Sequence, residues 1–127
     1  MDNFANALVN IKNHELVGKS GCTLKPASKI LGNILTILQK HGYIGNFELI
    51  DDGKAGQYKV QLLGTINNIK AIKPRFSAGF RDIQQYETQY LPSRGFGMLI
   101  VSTPKGLMTQ YDAIQQKTGG KLLAFVY

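Results

Sequence analysis

The sequence predicts an α+β protein built from two small subdomains, and three patterns support this class. Residues 4–16 and 26–41 carry apolar side chains at helical spacing. Residues 43–63 form two extended runs around a glycine-rich turn, which favours a β-hairpin. Residues 97–101 form an apolar run of strand length, which is typical of a buried strand. A chain of 127 residues is long enough for one ordinary domain or for two small subdomains that share a core.

The first element is a helix over residues 4–16, which Asp2 or Asn3 can cap. The apolar stripe of this helix consists of Phe4, Ala7, Leu8 and Ile11. Lys12 and Asn13 lie on its other faces. A solvated helix face accounts for both residues, but amine and amide groups are also suited to RNA phosphates and sugar edges.

A short strand over residues 22–25 follows a turn, and we expect Cys22 to be a small buried side chain. Pro26 then opens a second helix, because proline is favoured in the first helical turn. The apolar stripe of the second helix should face the core and contains Ile30, Leu31, Ile34, Leu35 and Leu38. This helix ends at His41, since the next residue, Gly42, favours the left-handed backbone of a helix stop.

The predicted hairpin comprises residues 43–50 and 57–63. In its second strand, apolar and polar residues alternate, as they do in a strand with one buried face. A third extended stretch over residues 66–74 is expected to return alongside the hairpin and to lead out of the first half. We place the subdomain boundary there, which gives subdomains 1–66 and 67–127.

The second half differs in its sequence pattern, because it begins with a basic segment over residues 75–85 that has no regular apolar spacing. Gly119 and Gly120 should stop the one helix expected in this half. The predicted elements are a strand over residues 86–91, a central strand over 97–101, a helix over 109–117 and a last strand over 122–127.

The charge balance favours a polyanionic partner. Fifteen Lys and Arg residues against eight Asp and Glu give a formal charge of +7 and a pI near 9.6. Nucleic acid suits such a chain, because basic side chains that neutralise phosphates release condensed counterions. A basic protein without such a partner is the alternative. No apolar run approaches the roughly 20 residues of a membrane span, and the first residues lack a secretory pattern, so we expect a cytoplasmic protein.

Residues 102–106 are the strongest candidate for a binding site, because they follow the most apolar strand. Ser102 and Thr103 carry hydroxyl groups, which can donate to and accept from RNA base edges or the 2′-hydroxyl. Pro104 follows the two hydroxyl residues, and Lys105 after it can contact a phosphate. Gly106 lets the backbone approach a ligand closely. The alternative is an ordinary turn from a strand to a helix, which uses the same residue types.

Two further basic segments are weaker candidates. Lys25, Ser28 and Lys29 lie around the start of the second helix, where free backbone N–H groups favour a phosphate, although a solvated helix start explains them equally well. A second run of cations lies among aromatic residues that can stack on unpaired bases or pack in a core, and it contains Lys70, Lys73, Arg75 and Arg81.

Catalytic and metal sites are not indicated. His14 precedes Glu15, but no second pair of ligands has a recognisable spacing. Asp51 and Asp52 are adjacent in a predicted turn, where they are poorly placed as an acid–base pair. The single cysteine excludes an internal disulfide and a cysteine-rich zinc site. We therefore expect no enzymatic activity, no metal and no cofactor.

Taken together, these segments resemble the ribosomal protein S8 family of the small subunit, in its archaeal and eukaryotic form. The resemblance covers essentially the whole chain, and the order and spacing of the matching stretches make it specific. These stretches are residues 25–29, 41–45 with 47–48, 73–76, 91–94, 102–109 and 118–127.

The resemblance implies two α+β subdomains in a layered α/β/β/α arrangement. It also implies a structural protein that binds the central domain of small-subunit ribosomal RNA, supports assembly among neighbouring ribosomal proteins and, in some members, represses its own messenger RNA. The family's main contacts, carried to this chain, fall on Ser102, Thr103, Pro104, Lys105 and Gly106, beside Gly119, Gly120 and Lys121. Supplementary contacts are implied for Lys25, Ser28 and Lys29, and more loosely for Lys12, Asn13 and Arg75.

Overall fold

The computed structural model describes residues 3–25, 27–51, 53, 56–72, 77–92 and 96–127. The described elements are helices and antiparallel strands, which confirms the predicted α+β class. The chain divides into two compact units, Met1–Ile69 and Lys70–Tyr127. That the two halves are separate folding subdomains with a boundary at residues 66 and 67 stays a prediction. Within the described residues, every helix is too short or too polar to span a membrane.

The first unit contains a three-stranded antiparallel sheet with the order β1-β3-β2. Helix α1 packs against β1 at one edge of this sheet, and α2 packs against β2 at the other edge. The predicted apolar stripes are buried except for Ile30, which is half-buried, and Leu8, Ile11, Ile34 and Leu38 are fully inaccessible to solvent. The elements are α1 (Asn3–Leu16), β1 (Gly21–Leu24), α2 (Lys29–Lys40), β2 (Ile44–Ile50) and β3 (Gln57–Leu62).

The predicted start of the second helix at Pro26 is wrong, because α2 begins at Lys29. Ser28 has extended backbone angles of φ −138° and ψ 160°, and its Oγ accepts a hydrogen bond from the Leu31 N–H at 3.2 Å. A serine that satisfies one of the free N–H groups of the first turn defines the N-cap. Pro26 itself lies outside the described residues. The predicted end is confirmed, since Gly42 has φ +80° directly after the cap residue His41.

The third extended stretch is also placed differently from the prediction. Strand β4 (Ile69–Ala71) does not join the hairpin but belongs to the second sheet. The segment before it is held by Glu15 of α1, whose two carboxylate oxygens accept hydrogen bonds from the N–H groups of Gly64 at 3.1 Å and Ile66 at 3.0 Å. A charged acceptor for two backbone donors directs the chain away from β3.

The second sheet has the order β4-β8-β6-β7, with the short strand β5 also paired to β8. The predicted central strand is confirmed, because β6 lies between two partners and Met98 to Val101 are at most 2% exposed. The remaining elements of this unit are β5 (Ser77–Ala78), α3 (Ile83–Tyr90), β6 (Met98–Thr103), β7 (Gly106–Thr109), α4 (Gln110–Gln115) and β8 (Gly120–Val126).

Two predictions in the second half are wrong. The segment predicted as a strand over residues 86–91 lies mostly in helix α3, where Ile83 and Glu87 are buried one helical turn apart. The predicted helix stop at Gly119 and Gly120 comes too late. Helix α4 ends at Gln115, and the residue with a left-handed backbone is Lys117, at φ 55°. Gly120 already belongs to β8.

Candidate nucleic-acid interface

The segment around residues 102–106 is a β-hairpin and not a turn from a strand to a helix. Ser102 and Thr103 are the last two residues of β6, and Thr103 pairs with Gly106 at the start of β7. Pro104 and Lys105 form the two-residue turn and are exposed, as is Gly106. Gly106 has φ +122°, a backbone conformation that favours glycine. The buried strand therefore extends into a rigid exposed turn that carries one cation.

The hydroxyl of Thr103 works inside this turn. Its Oγ1 donates to the carbonyl oxygen of Gly106 at 2.8 Å and accepts from the N–H of Lys105 at 3.1 Å. The residue is only 8% exposed. Because a hydroxyl has one proton and two lone pairs, at most one acceptor position is left for a ligand. Thr103 thus stabilises the turn. Contrary to the expectation from the sequence, its hydroxyl is not free to donate to RNA, because its proton is already bonded to Gly106.

Ser102 projects to the opposite face of β6, since neighbouring residues of a strand alternate between faces. It is half-buried and pairs with Lys121 of β8 on one side and Leu107 of β7 on the other. Lys121 itself is exposed. The fold therefore brings together a hydroxyl and an ammonium group that lie nineteen positions apart in the chain.

Gly119 and Gly120 allow β8 to approach its neighbours closely at this level. A Cβ atom on Gly120 would overlap the carbonyl oxygen of Ser102 and lie 3.1 Å from the Cα of Thr103. A Cβ atom on Gly119 would lie 2.5 Å from the carbonyl oxygen of Ala78. Both obstacles are backbone atoms, so the two glycines are required for the position of Lys121 beside Ser102.

The candidates in the first unit form two groups on different helices. Lys25, Ser28 and Lys29 are exposed around the start of α2, and the Ser28 hydroxyl is used by the Leu31 N–H. On α1, Lys12 is half-buried and Asn13 is exposed. Helix α1 packs against β1 and α2 packs against β2, so Lys12 and Asn13 lie at one edge of the sheet and Ser28 and Lys29 at the other, whereas Lys25 directly follows β1. Arg75 lies outside the described residues.

The strand register adds Ser77, a residue that the sequence patterns did not single out. Ser77 lies in β5, is exposed and pairs directly with Lys121. A strand of two residues is too short to show an alternating pattern, and the basic residues before it give a stronger sequence signal than a single hydroxyl. Only the pairing of β5 with β8 reveals this neighbour.

Three of the acidic and imidazole groups considered for catalysis, His14, Glu15 and Asp51, have structural partners, and Asp52 lies outside the described residues. Besides the role of Glu15, Nδ1 of His14 lies 2.8 Å from the carbonyl oxygen of Asn10 in α1, and Oδ1 of Asp51 accepts from the Gly53 N–H at 2.9 Å. Burial and the nearby Glu15 carboxylate raise the pKa of Cys22 to about 11, so its thiol stays protonated at neutral pH. In the part of the chain that the structure describes, no three His, Cys, Asp or Glu residues form a group that could hold a metal ion.

Comparison with known proteins agrees with this description. The family model described as ribosomal protein S8 matches residues 2–127. The small ribosomal subunit protein uS8 of Methanococcoides burtonii is 52% identical to this chain over 127 residues, which cover all of this chain and 98% of that protein.

These two matches, together with an α+β fold that presents hydroxyl and cationic side chains at the end of a buried strand, define a ribosomal protein, a structural constituent and not an enzyme. More particularly, the chain belongs to the ribosomal protein S8 family. The resemblance stated from the sequence motifs is confirmed at the level of the family.

Proposed function

We propose that this protein binds the central domain of small-subunit ribosomal RNA in the cytoplasm and stabilises the folded RNA during assembly of the subunit. The observation that carries this proposal is the pairing of Ser102 with Lys121 at the end of a buried strand, next to the exposed turn of Pro104, Lys105 and Gly106. The excess of seven positive charges supports a polyanionic partner.

In this proposal, each group at the end of β6 has one physical role. Ser102 donates to or accepts from a base edge or a 2′-hydroxyl. The 2′-hydroxyl is present in RNA and absent from DNA. Lys105 and Lys121 contact phosphates on either side, and the absence of a side chain on Gly106 allows the backbone to approach the RNA. Because β6 is buried on both faces, its backbone holds Ser102 and the start of the turn in place before RNA binds, so this backbone loses little conformational entropy on binding.

The first unit would supply supplementary phosphate contacts. Lys25 and Lys29 are exposed at the beginning of α2, where the helix dipole also favours negative charge. Ser28 contributes there by capping the helix, and Lys12 and Asn13 of α1 are available at a separate point. Such contacts add affinity for any RNA but carry little sequence information.

Binding of a central-domain fragment of small-subunit ribosomal RNA tests the proposal. We expect Ser102→Ala to weaken binding to this fragment by about five- to a hundredfold, the effect of leaving a buried polar partner without its hydrogen bond. Binding to an unrelated duplex of equal length should not change. Ser20→Ala removes an exposed hydroxyl from the first unit and serves as the matched control.

If Ser102→Ala and Lys121→Ala both bind the central-domain fragment as tightly as the unchanged protein, the proposed interface is wrong. A messenger RNA that folds like the ribosomal site would use the same groups, so repression of the protein's own message is an additional proposal. Competition between the two RNAs for the protein tests it, and simultaneous binding of both would argue against it.

A further inference from the structure

Four strands of the second sheet place one residue each in a single row. Ser77 of β5 pairs with Lys121 of β8, Lys121 pairs with Ser102 of β6, and Ser102 pairs with Leu107 of β7. Residues directly opposite each other in antiparallel strands project from the same face of the sheet. Since neighbouring strands are about 4.8 Å apart, Ser77 and Ser102 lie roughly 10 Å apart with Lys121 between them.

This row is the place where the sheet emerges from the core. Ser77 and Lys121 are exposed, and Ser102 and Leu107 are half-buried. The adjacent row, with Val101 paired to Leu122 and Met108, projects from the other face and contributes to the hydrophobic core. On the Ser102 face of β6, the preceding residue Ile100 is fully buried. The polar side chains thus begin where the apolar ones end, on strands that the core keeps rigid.

Backbone pairing and close packing hold Ser77 in its place in the row. The N–H and carbonyl groups of β5 pair with β8 at Ala78 and Gly120 as well as at Ser77 and Lys121. The backbone of Gly119 also packs directly on Ala78 and Gly79, so closely that neither backbone leaves space for a Cβ atom on Gly119. Among the described residues, none forms a hydrogen bond with the Ser77 hydroxyl, and Ser77 is exposed.

We infer that Ser77 is a further RNA-contacting residue that binds the sugar–phosphate chain of the same RNA strand that Ser102 contacts. The inference rests on the proposed function and extends that interface from the hairpin turn across β8 to β5. A hydroxyl, an ammonium group and a second hydroxyl in line match a strand that offers alternating 2′-hydroxyl and phosphate groups. Ser77 reads sugar and phosphate rather than base edges because it lies at the exposed end of the row.

Affinity measurements on the full chain test this inference. Ser77→Ala should weaken binding to the central-domain RNA fragment by about three- to tenfold, since it removes one hydrogen bond from an exposed position. Ser20→Ala should leave the affinity unchanged. Circular dichroism and thermal unfolding of Ser77→Ala should match those of the unchanged protein, because the hydroxyl has no partner in the described fold.

The two proposals fail in distinguishable ways. If Ser102→Ala weakens binding and Ser77→Ala does not, the inference about Ser77 is overturned and the proposed function stands. Should neither substitution change the affinity, both are overturned. A loss of affinity in both variants supports both.

A second measurement locates Ser77 directly on the RNA. An iron chelate that generates hydroxyl radicals can be attached to Ser77→Cys or to Ser102→Cys, because the natural Cys22 is buried and its raised pKa keeps it unreactive. At protein concentrations that saturate the RNA in spite of the weakened binding, we expect the two probes to cleave the same stretch of RNA at neighbouring nucleotides. Cleavage from position 77 at a different helix, or none, would contradict the inference.

Discussion

Individual hydroxyl groups in this protein have different roles that residue type alone does not reveal. Ser102 is half-buried beside Lys121, whereas its neighbour Thr103 bonds within the turn through both its proton and a lone pair. Ser28 caps α2, and Ser77 is exposed next to Lys121. A hydroxyl that is already bonded inside the fold shapes a site, and one that is free can bind a ligand.

Thr103→Val tests the shaping role at the residue scale. The substitution keeps the shape of the side chain but removes both hydrogen bonds of the turn, so we expect stability to fall by about 1–2 kcal/mol. Binding to the central-domain fragment should weaken as well, because the turn that carries Lys105 is no longer held. Chemical denaturation and RNA binding measure the two effects.

Thr103→Ser is the matched variant, since it retains the hydroxyl and loses only a methyl group. It should stay close to the unchanged protein in both measurements. Equal behaviour of the valine and serine variants would show that the hydrogen bonds of Thr103 do not stabilise the turn.

Cys22 provides a pH-dependent prediction. Burial, with a contribution from Glu15, raises the pKa of this thiol from 9.0 to about 11 in the folded protein. Between these values the unfolded chain has lost the proton while the folded chain keeps it, so the free energy of unfolding should decrease as pH rises from about 9 to 11. Cys22→Ala should flatten this part of the profile, as measured by denaturation at several pH values.

Elements of the second sheet are positioned by the close approach of their backbones. Gly119 and Gly120 let β8 contact β5 and β6 at the level where Lys121, Ser77 and Ser102 form their row. The two glycines therefore determine how the strands lie next to one another, and through this the geometry of the interface. In the first unit, the Ser28 cap and the bonds of Glu15 have the corresponding role at the ends of α2 and α1.

Gly120→Ala tests this at the scale of the element. The new Cβ would overlap the Ser102 carbonyl oxygen, and because the obstacle is backbone the two strands must separate. We expect a loss of about 1–3 kcal/mol or more, seen as a lower unfolding temperature, and weaker RNA binding.

Gly79→Ala is the control for this prediction. A Cβ there would meet only Oδ2 of Asp82 at 3.7 Å, an ordinary contact, so its stability should remain near that of the unchanged protein. If Gly120→Ala were as stable as Gly79→Ala, the close packing of β8 on β6 would not be a requirement of the fold.

The whole molecule combines a net charge of +7 with a small number of directed contacts. The charge attracts any polyanion and accelerates encounter, whereas we propose that the row on the second sheet selects a particular RNA strand. The contribution of phosphate contacts to the binding constant depends on salt, because these contacts release counterions. The contribution of hydrogen bonds to sugars does not.

A salt titration is the prediction at the scale of the molecule. The logarithm of the binding constant should fall linearly with the logarithm of the salt concentration. Lys105→Ala and Lys121→Ala should each reduce the magnitude of the slope by about 1, whereas Ser102→Ala lowers the affinity with an unchanged slope. Lys40→Ala, an exposed residue at the end of α2, serves as the control. An unchanged slope for both Lys105→Ala and Lys121→Ala would exclude phosphate contacts by this interface.

Much of the first unit was predictable because its signals are local. The apolar stripes of α1 and α2 repeat every three to four residues. A glycine directly after such a stripe, here Gly42, indicates the end of the helix. The start of α2 was less predictable, since Pro26 is favourable at the first helical position and Ser28 is favourable as the N-cap. The two residues therefore indicate different starts for the same helix. The extended residues 66–74 show no local feature that separates a strand of the first sheet from one of the second.

The sequence by itself determined the α+β class, the buried strand β6, the exposed basic turn after it and the family of this protein. These depend on periodicity, turn chemistry and motif order, all of which are properties of neighbouring residues. Only the tertiary structure decided that Thr103 bonds inward, that residues 83–90 form a helix and that Ser77 joins Lys121 and Ser102. Strand pairing and burial link residues that are far apart in the chain, and no local pattern records which partner a strand will have.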